Sequence, residues 1–408
     1  MWISWRSART SAGGWWRSTG AMVGLALLGS LVAALPLAAQ QADSDGDGLP
    51  DSWEINGYDA DGDGAIDVDL PALGANPLRK DIFVEIDWMQ GATCNQKPSQ
   101  AAIDAAIASF AVAPVSNPDG STGISLHVDY GQGGSFTGGN SLVCSDVITW
   151  PSGFQTIKSA NFNPARQAIF HYNIWGIQYS AGSGVTTSSG IAELPGDDFL
   201  VSLGAFPGGN GTQAQQAGTF MHEMGHNFGF LHGGSDNANY KPNHLSVMSY
   251  SFQLTGVLRD GSLGNFDYQR FAVDSLNERS LDETVGLTGS TELNRYGTVW
   301  FCTPTGSQET TPTAAGFIDW NCDEQAGTGV RTSINLNFLR TVLEATPNQW
   351  ASLIYTGGNI GDGAAGSRPV IDNLRLRPAS TSVDEPKADE LLSVERSLRE
   401  SVQRLRQP

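Results

Sequence analysis

His222-Glu223-Met224-Gly225-His226-Asn227-Phe228-Gly229-Phe230-Leu231-His232 decides how the rest of the chain is read. Histidines four apart stand one above the other on a helix face, so His222 and His226 present two imidazoles to one point. Glu223 sits beside that point, where a carboxylate can take a proton from water. Gly229 suits the left-handed conformation that ends a helix, and the turn it allows brings His232 round as a third ligand. Three protein ligands leave one tetrahedral position for water, which is what a catalytic rather than a structural zinc site needs. Half of the six histidines in the chain fall within this stretch, which makes three unrelated surface histidines the poorer reading.

Outward from this stretch the pattern stays regular. Thr212 followed by Gln215 matches a capping box, so the helix should start there and run to Gly229. Asn210-Gly211-Thr212 reads either as a glycosylation acceptor or as a turn and helix cap, and the cap is preferred. Upstream, residues 81–88 (DIFVEIDW) alternate as a strand, and Ser99 caps a helix over 100–111 with Ile103, Ile107 and Phe110 on one face. Further strands are expected at 124–129, 168–175 and 198–203, with GIAELPG at 190–196 as an edge strand that tolerates its proline. Beyond residue 260, strands and short helices mix without a second set of catalytic residues. From Pro378 the composition turns charged, and Leu391, Val394, Leu398, Val402 and Leu405 recur at helical spacing, which predicts an amphipathic tail helix.

Leu245-Ser246-Val247-Met248-Ser249-Tyr250 taken alone is ordinary core, with Met248 filling a gap. After the extended histidine motif it resembles the Met-turn of metzincin zinc peptidases, and the resemblance spans roughly residues 80–255. The overall look is of a bacterial secreted type, between the reprolysin-like, pappalysin-like and serralysin-like groups. The resemblance implies an α+β fold with a twisted mixed sheet, an active-site helix and an irregular C-terminal subdomain. It implies zinc held by His222, His226 and His232, Glu223 as general base, and Met248 as a hydrophobic floor beneath the metal. Tyr250 matches the tyrosine that approaches the metal in astacin-like and serralysin-like members, as an extra ligand or an oxyanion donor. A peptide substrate would lie against the edge strand near residues 191–194. No cysteine is placed as an inhibitory switch and no propeptide domain is recognisable, so the means of latency is open.

A second metal signature lies near the N-terminus. Asp43, Asp45, Asp47, Gly48, Asp51 and Glu54 fit the twelve-position loop D-x-D-x-D-G-x-x-D-x-x-E, in which alternating carboxylates wrap calcium and the last Glu closes the site. Asp59, Asp61, Asp63, Gly64 and Asp67 begin a second copy, but Leu70 stands where the closing Glu would be. The pair resembles thrombospondin type 3 or dockerin-like calcium repeats more than paired EF-hands, because no clear flanking helices are predicted. Asp319-Trp320-Asn321-Cys322-Asp323 is a third acidic stretch, better read as an ordinary turn.

Formal net charge is -19, from 42 acidic and 23 basic residues among 408. Such a surface argues against nucleic acid as partner, since phosphate neutralisation needs clustered Lys and Arg. Arg6, Arg9 and Arg17 precede an apolar run over Ala21–Ala39, the pattern of a secretory signal cleaved near Ala39, with a retained membrane anchor as the alternative. After cleavage no stable membrane association is expected, and the protein should be secreted or periplasmic. Four cysteines without a C-x-x-C pair suggest disulfides. Three pairings are open, and proximity favours Cys94–Cys144 and Cys302–Cys322. The expected organisation is a signal peptide (1–39), an Asp-rich calcium segment (40–78), a zinc peptidase domain (79–377) and a charged amphipathic tail (378–408). The chain reads as a monomeric zinc endopeptidase acting on protein or peptide. The alternative is a calcium-dependent binding or adhesion protein that keeps the fold without turnover. His127 and His171 read as core or surface residues, and His244 as a neighbour of the Met-turn.

Overall fold

In the computed structural model, strand β1 (Asp81–Met89) is buried at every position, as a strand covered on both faces must be. Residues 42–182, 184–355 and 385–407 are described. The proposed signal segment and the junction at Pro378 lie outside them. β1 is flanked by β2 (Ser125–Asp129) on one side and β3 (Phe170–Gly176) on the other, both parallel to it. β5 (Asp198–Ser202) continues the sheet in parallel, and β4 (Gly190–Ala192) closes that edge antiparallel to β5. The fold is therefore α+β with a mixed sheet. Among the described residues no helix is long and apolar enough to cross a membrane.

The two-residue period of the strands divides the core. Ile82, Val84, Ile86 and Trp88 point to one face, together with Phe199 and Val201. There they meet Ile103 and Phe110 of α2 (Gln100–Ala111) and Phe220, Met221 and Met224 of α3 (Gln213–Asn227). Phe83, Met89, Tyr172, Ile174 and Leu200 point to the other face. That face is covered by Phe154 of the helix Ser152–Asn161 and by Leu49, Val68, Leu70 and Leu73 of the Asp-rich segment. The acidic loops are thus built onto the sheet. A short helix, α1 (Asp51–Asn56), begins within the last positions of the first loop, where no clear flanking helix was expected. Pro50 is its extended N-cap (φ -64°, ψ 138°), and Asp51 and Glu54 stand near its positive end.

Residues 233–355 carry short ribbons, of which Thr298–Cys302 paired with Ser307–Thr311 is the longest. The disulfides are Cys94–Cys144 and Cys302–Cys322, the pairing that proximity favoured. Both fit an oxidising compartment such as the extracellular space. The helix near the C-terminus, α4 (Ala388–Leu405), buries Leu391, Val394, Leu398 and Val402 in the same apolar cluster as α2 and α3.

Candidate metal centre

The site is built from α3. The Thr212 side chain accepts from the Gln215 amide at 3.3 Å, and Gln215 Oε1 accepts from the Thr212 amide at 2.8 Å, so both ends of the capping box are made. From Gln215 to Asn227 every residue is buried, and the helix runs through the middle of the molecule. It ends at Gly229, whose φ of +88° is left-handed, while the Phe230 amide closes back onto the Gly225 carbonyl at 3.0 Å. Gly225 has a second role: a Cβ there would come within 2.4 Å of Met248 Sδ. The missing side chain lets the turn around Met248 pack directly on the helix beneath the histidines.

That turn also orients the rings. His222 Nδ1 lies 2.8 Å from the Val247 carbonyl and His226 Nδ1 lies 2.8 Å from the Phe230 carbonyl. A carbonyl only accepts, so each Nδ1 is the donor and each Nε2 atom is turned inward. His232 Nε2 lies 3.2 Å from His222 Nε2 and 3.0 Å from His226 Nε2. A tetrahedral ion with bonds of about 2.0–2.1 Å would hold its nitrogens roughly 3.3 Å apart, close to what is found. Burial holds the His226 ring below its ordinary value and His232 at about 3, despite a nearby carboxylate, so both are neutral at pH 7. Neutral imidazoles aiming lone pairs at one another repel unless a cation sits between them, and the donor set fits a divalent transition metal.

Around the rings stand three oxygen groups. Glu223 is fully buried, and among the described residues neither of its carboxylate oxygens has a hydrogen-bond partner. Burial, reinforced by Glu385, pushes its carboxyl well above the usual range. It lies under the edge of the sheet, because a Cβ on Gly190, the first residue of β4, would meet Glu223 Cδ at 2.6 Å. The Tyr250 hydroxyl lies 2.9 Å from both ring nitrogens of His232. Burial and the two carboxylates hold that hydroxyl protonated well beyond neutral pH. Glu385 places Oε1 2.9 Å from His232 Nε2 and 3.4 Å from His226 Nε2, with Oε2 3.7 Å from His222 Nε2. Sequence reasoning did not single out Glu385. It lies 153 residues beyond His232 in a charged stretch, with no spacing to betray it. His244 stands behind the site, its Nδ1 2.7 Å from the His232 carbonyl. His171 packs under α3 with Nδ1 3.1 Å from Asn227 Oδ1.

The first acidic loop is a second candidate. Asp43 accepts from the Gly46 amide at 2.7 Å and the Gly48 amide at 3.0 Å, which closes the turn. Asp45, Asp47, Glu54 and Asp81 are each 6% exposed or less, and their oxygens fall into two overlapping clusters with Asp43. Burial and mutual repulsion raise Asp45 to about 6, Asp47 to about 8 and Glu54 to about 9. Among the described residues neither oxygen of Glu54 has a hydrogen-bond partner. Hard carboxylate oxygens gathered this closely fit a calcium ion. Asp51 is used otherwise: its two oxygens take the Ser44 amide and hydroxyl, each at 2.7 Å. Asp81 was read only as the start of a strand. It also accepts from the Asn76 amide at 2.8 Å and faces His127 Nε2 at 2.6 Å. In the second loop Asp59, Asp61 and Asp67 come together at the surface, and Asp63 accepts from the Ala65 amide at 2.8 Å. Of the third stretch, Asp319 accepts from the Asp323 and Glu324 amides at 3.1 and 2.8 Å, as a turn does.

No protein-family model matches the chain, and no curated protein matches it.

Proposed function

We propose that the chain is an exported zinc-dependent endopeptidase of metzincin type, with calcium in its first acidic loop. The observation that carries this reading is the convergence of three buried imidazole nitrogens, with separations of 3.0 and 3.2 Å from His232, beside a buried carboxylate that has no hydrogen-bond partner among the described residues. Zinc held by His222, His226 and His232 supplies Lewis acidity that makes water nucleophilic near neutral pH. Glu223 takes the proton from the attacking water and returns it to the leaving amine. Its place under Gly190 sets it between the imidazoles and the outer edge of β4, where an extended peptide can add as a further strand. Tyr250 donates its hydroxyl proton to the oxyanion that develops on the scissile carbonyl. Met248 and Gly229 hold the rings in place from below and from the helix end. In the acidic loop Asp43, Asp45, Asp47, Glu54 and Asp81 supply the oxygens for calcium and tie the segment to β1.

Casein hydrolysis by the exported protein tests this reading. Glu223→Ala and zinc chelation should each lower the rate by at least about 10²–10⁴-fold. Undiminished hydrolysis by Glu223→Ala would remove the general base from the scheme. One observation favours a second reading, a binding protein without turnover: Glu385 stands where a substrate carbonyl would need to approach. Under that reading zinc binds stoichiometrically, yet no variant of the protein cuts casein.

A further inference from the structure

We propose that Glu385 is a built-in fourth ligand of the histidine metal centre, carried by a C-terminal segment that closes the cleft and keeps the enzyme latent. This inference rests on the zinc reading above. The Glu385 carboxylate is 2% exposed and faces His232 and His226 through Oε1 and His222 through Oε2 at 2.9–3.7 Å, and among the described residues Oε2 has no hydrogen-bond partner. A carboxylate and three imidazole nitrogens gathered in one buried spot are the donor set that a single cation satisfies. One nitrogen from each histidine and one Glu385 oxygen lie close enough together to share a single ion, and zinc takes carboxylate as readily as imidazole, at about 2.0–2.2 Å. A closed four-ligand set leaves no position for water.

The segment is held from both sides. The Ser188 hydroxyl donates to the Glu385 carbonyl at 3.0 Å, and the Ala388 amide reaches Thr187 Oγ1 at 3.4 Å. Thr187 and Ser188 lead directly into β4, so the segment lies across the approach to the edge on which a peptide would add. Beyond Glu385 the helix α4 is anchored along its length. The Tyr240 hydroxyl donates to Glu390 at 2.7 Å, Gln215 Nε2 donates to Glu395 at 2.6 Å, and Leu391 and Leu398 are buried. Gln215 is also the residue that caps the active-site helix, which joins the tail to the scaffold of the site itself. A ligand tethered at such short range competes at a local concentration on the order of millimolar or more. A peptide carbonyl from solution must displace it.

The test uses the full exported chain, stripped of metal and reloaded with cobalt(II), as wild type, Glu385→Ala and the isosteric Glu385→Gln. Acetohydroxamate serves as the probe for an open coordination position, read from the visible cobalt bands. The wild-type bands should not move in millimolar acetohydroxamate, whereas those of both variants should, with at least tenfold tighter binding. Zinc retention should fall at least about tenfold on loss of the ligand, by analogy with the 10–100-fold cost of losing outer-shell partners. Casein hydrolysis should rise at least tenfold in both variants and vanish again when Glu223→Ala is added. Equal acetohydroxamate binding and equal zinc retention in all three proteins overturn the proposal. Failure of every form to take up cobalt overturns the metal reading and the proposal with it. Open cobalt spectra in the variants without hydrolysis support Glu385 as ligand and defeat only the peptidase reading.

Discussion

The two acidic loops carry the same local hydrogen bonds and end in different environments. In the first, Asp43 takes the amides of Gly46 and Gly48, and Asp47 takes that of Leu49 at 2.8 Å. In the second, Asp59 takes the amides of Gly62 and Gly64 at 2.7 and 2.8 Å, and Asp63 takes that of Ala65 at 2.8 Å. The backbone turn is therefore written into the Asp/Gly spacing twice over. What separates the copies is the residue after the turn. Glu54 swings its carboxylate in to face Asp47 and Asp81, and the first cluster is buried against β1. Leu70 at the equivalent place goes into the core, fully buried, and leaves Asp61, Asp63 and Asp67 at the surface. Local bonds shape a loop, but docking against the sheet decides whether its charges demand an ion.

Calcium removal should have the largest effect on this contrast. Chelation should lower stability by about 4 kcal/mol relative to protein in calcium a thousandfold above its dissociation constant, by mass action alone. Denaturant melts with and without chelator check this, and Glu54→Gln should lose most of the difference. A calcium response that survives Glu54→Gln would assign the ion to the second loop.

Leu70→Ala should cost about 2–5 kcal/mol through the cavity it leaves, and by the same amount with and without calcium. A loss that appears only in calcium would mean that Leu70 supports ligation as well as packing.

Proton linkage gives an effect of known sign. The Asp47 and Glu54 carboxyls are raised to about 8 and 9 in the folded chain, from ordinary values of 3.8 and 4.5. Between those limits the folded state holds protons that the unfolded chain has released. The contribution of these two groups to the stability of the calcium-free protein should thus be fully present below about pH 4 and be lost as pH rises towards 8 and 9. Saturating calcium should flatten that decline, as a series of melts across the range would record. A calcium-free protein that grows more stable over the same interval would contradict the buried cluster.

Least affected should be Asp61→Asn in the second loop, within about 0.5 kcal/mol of wild type, as expected for an exposed position. A calorimetric loss of a calcium-binding step in that variant would give the second loop an ion of its own.

Much of the scaffold was legible in one dimension. The alternation in DIFVEIDW, the Ser99 cap and the Thr212–Gln215 capping box each specify an element through neighbours two to four residues apart, and all are found where expected. The eleven-residue histidine stretch was legible for the same reason: a helix and one left-handed glycine bring its three imidazoles together, while the turn around Met248 only fixes how the His222 ring is oriented. Glu385 and Asp81 were not legible. A single carboxylate carries no periodicity, and each reaches its cluster only because a distant element docks: α4 into the main core, β1 beneath the Asp-rich segment.

The sequence by itself determined the turns, the caps, the helix that pairs His222 with His226 and the loop spacing that gathers Asp43, Asp45 and Asp47. Those depend on backbone geometry and bonds between near neighbours. Tertiary structure decided which carboxylates are buried, that Glu385 faces the histidines and that Glu54 and Asp81 complete one acidic cluster. Desolvation and the meeting of groups far apart in the chain arise only when the elements pack, and packing places a carboxylate in an environment that its own neighbours in sequence do not encode.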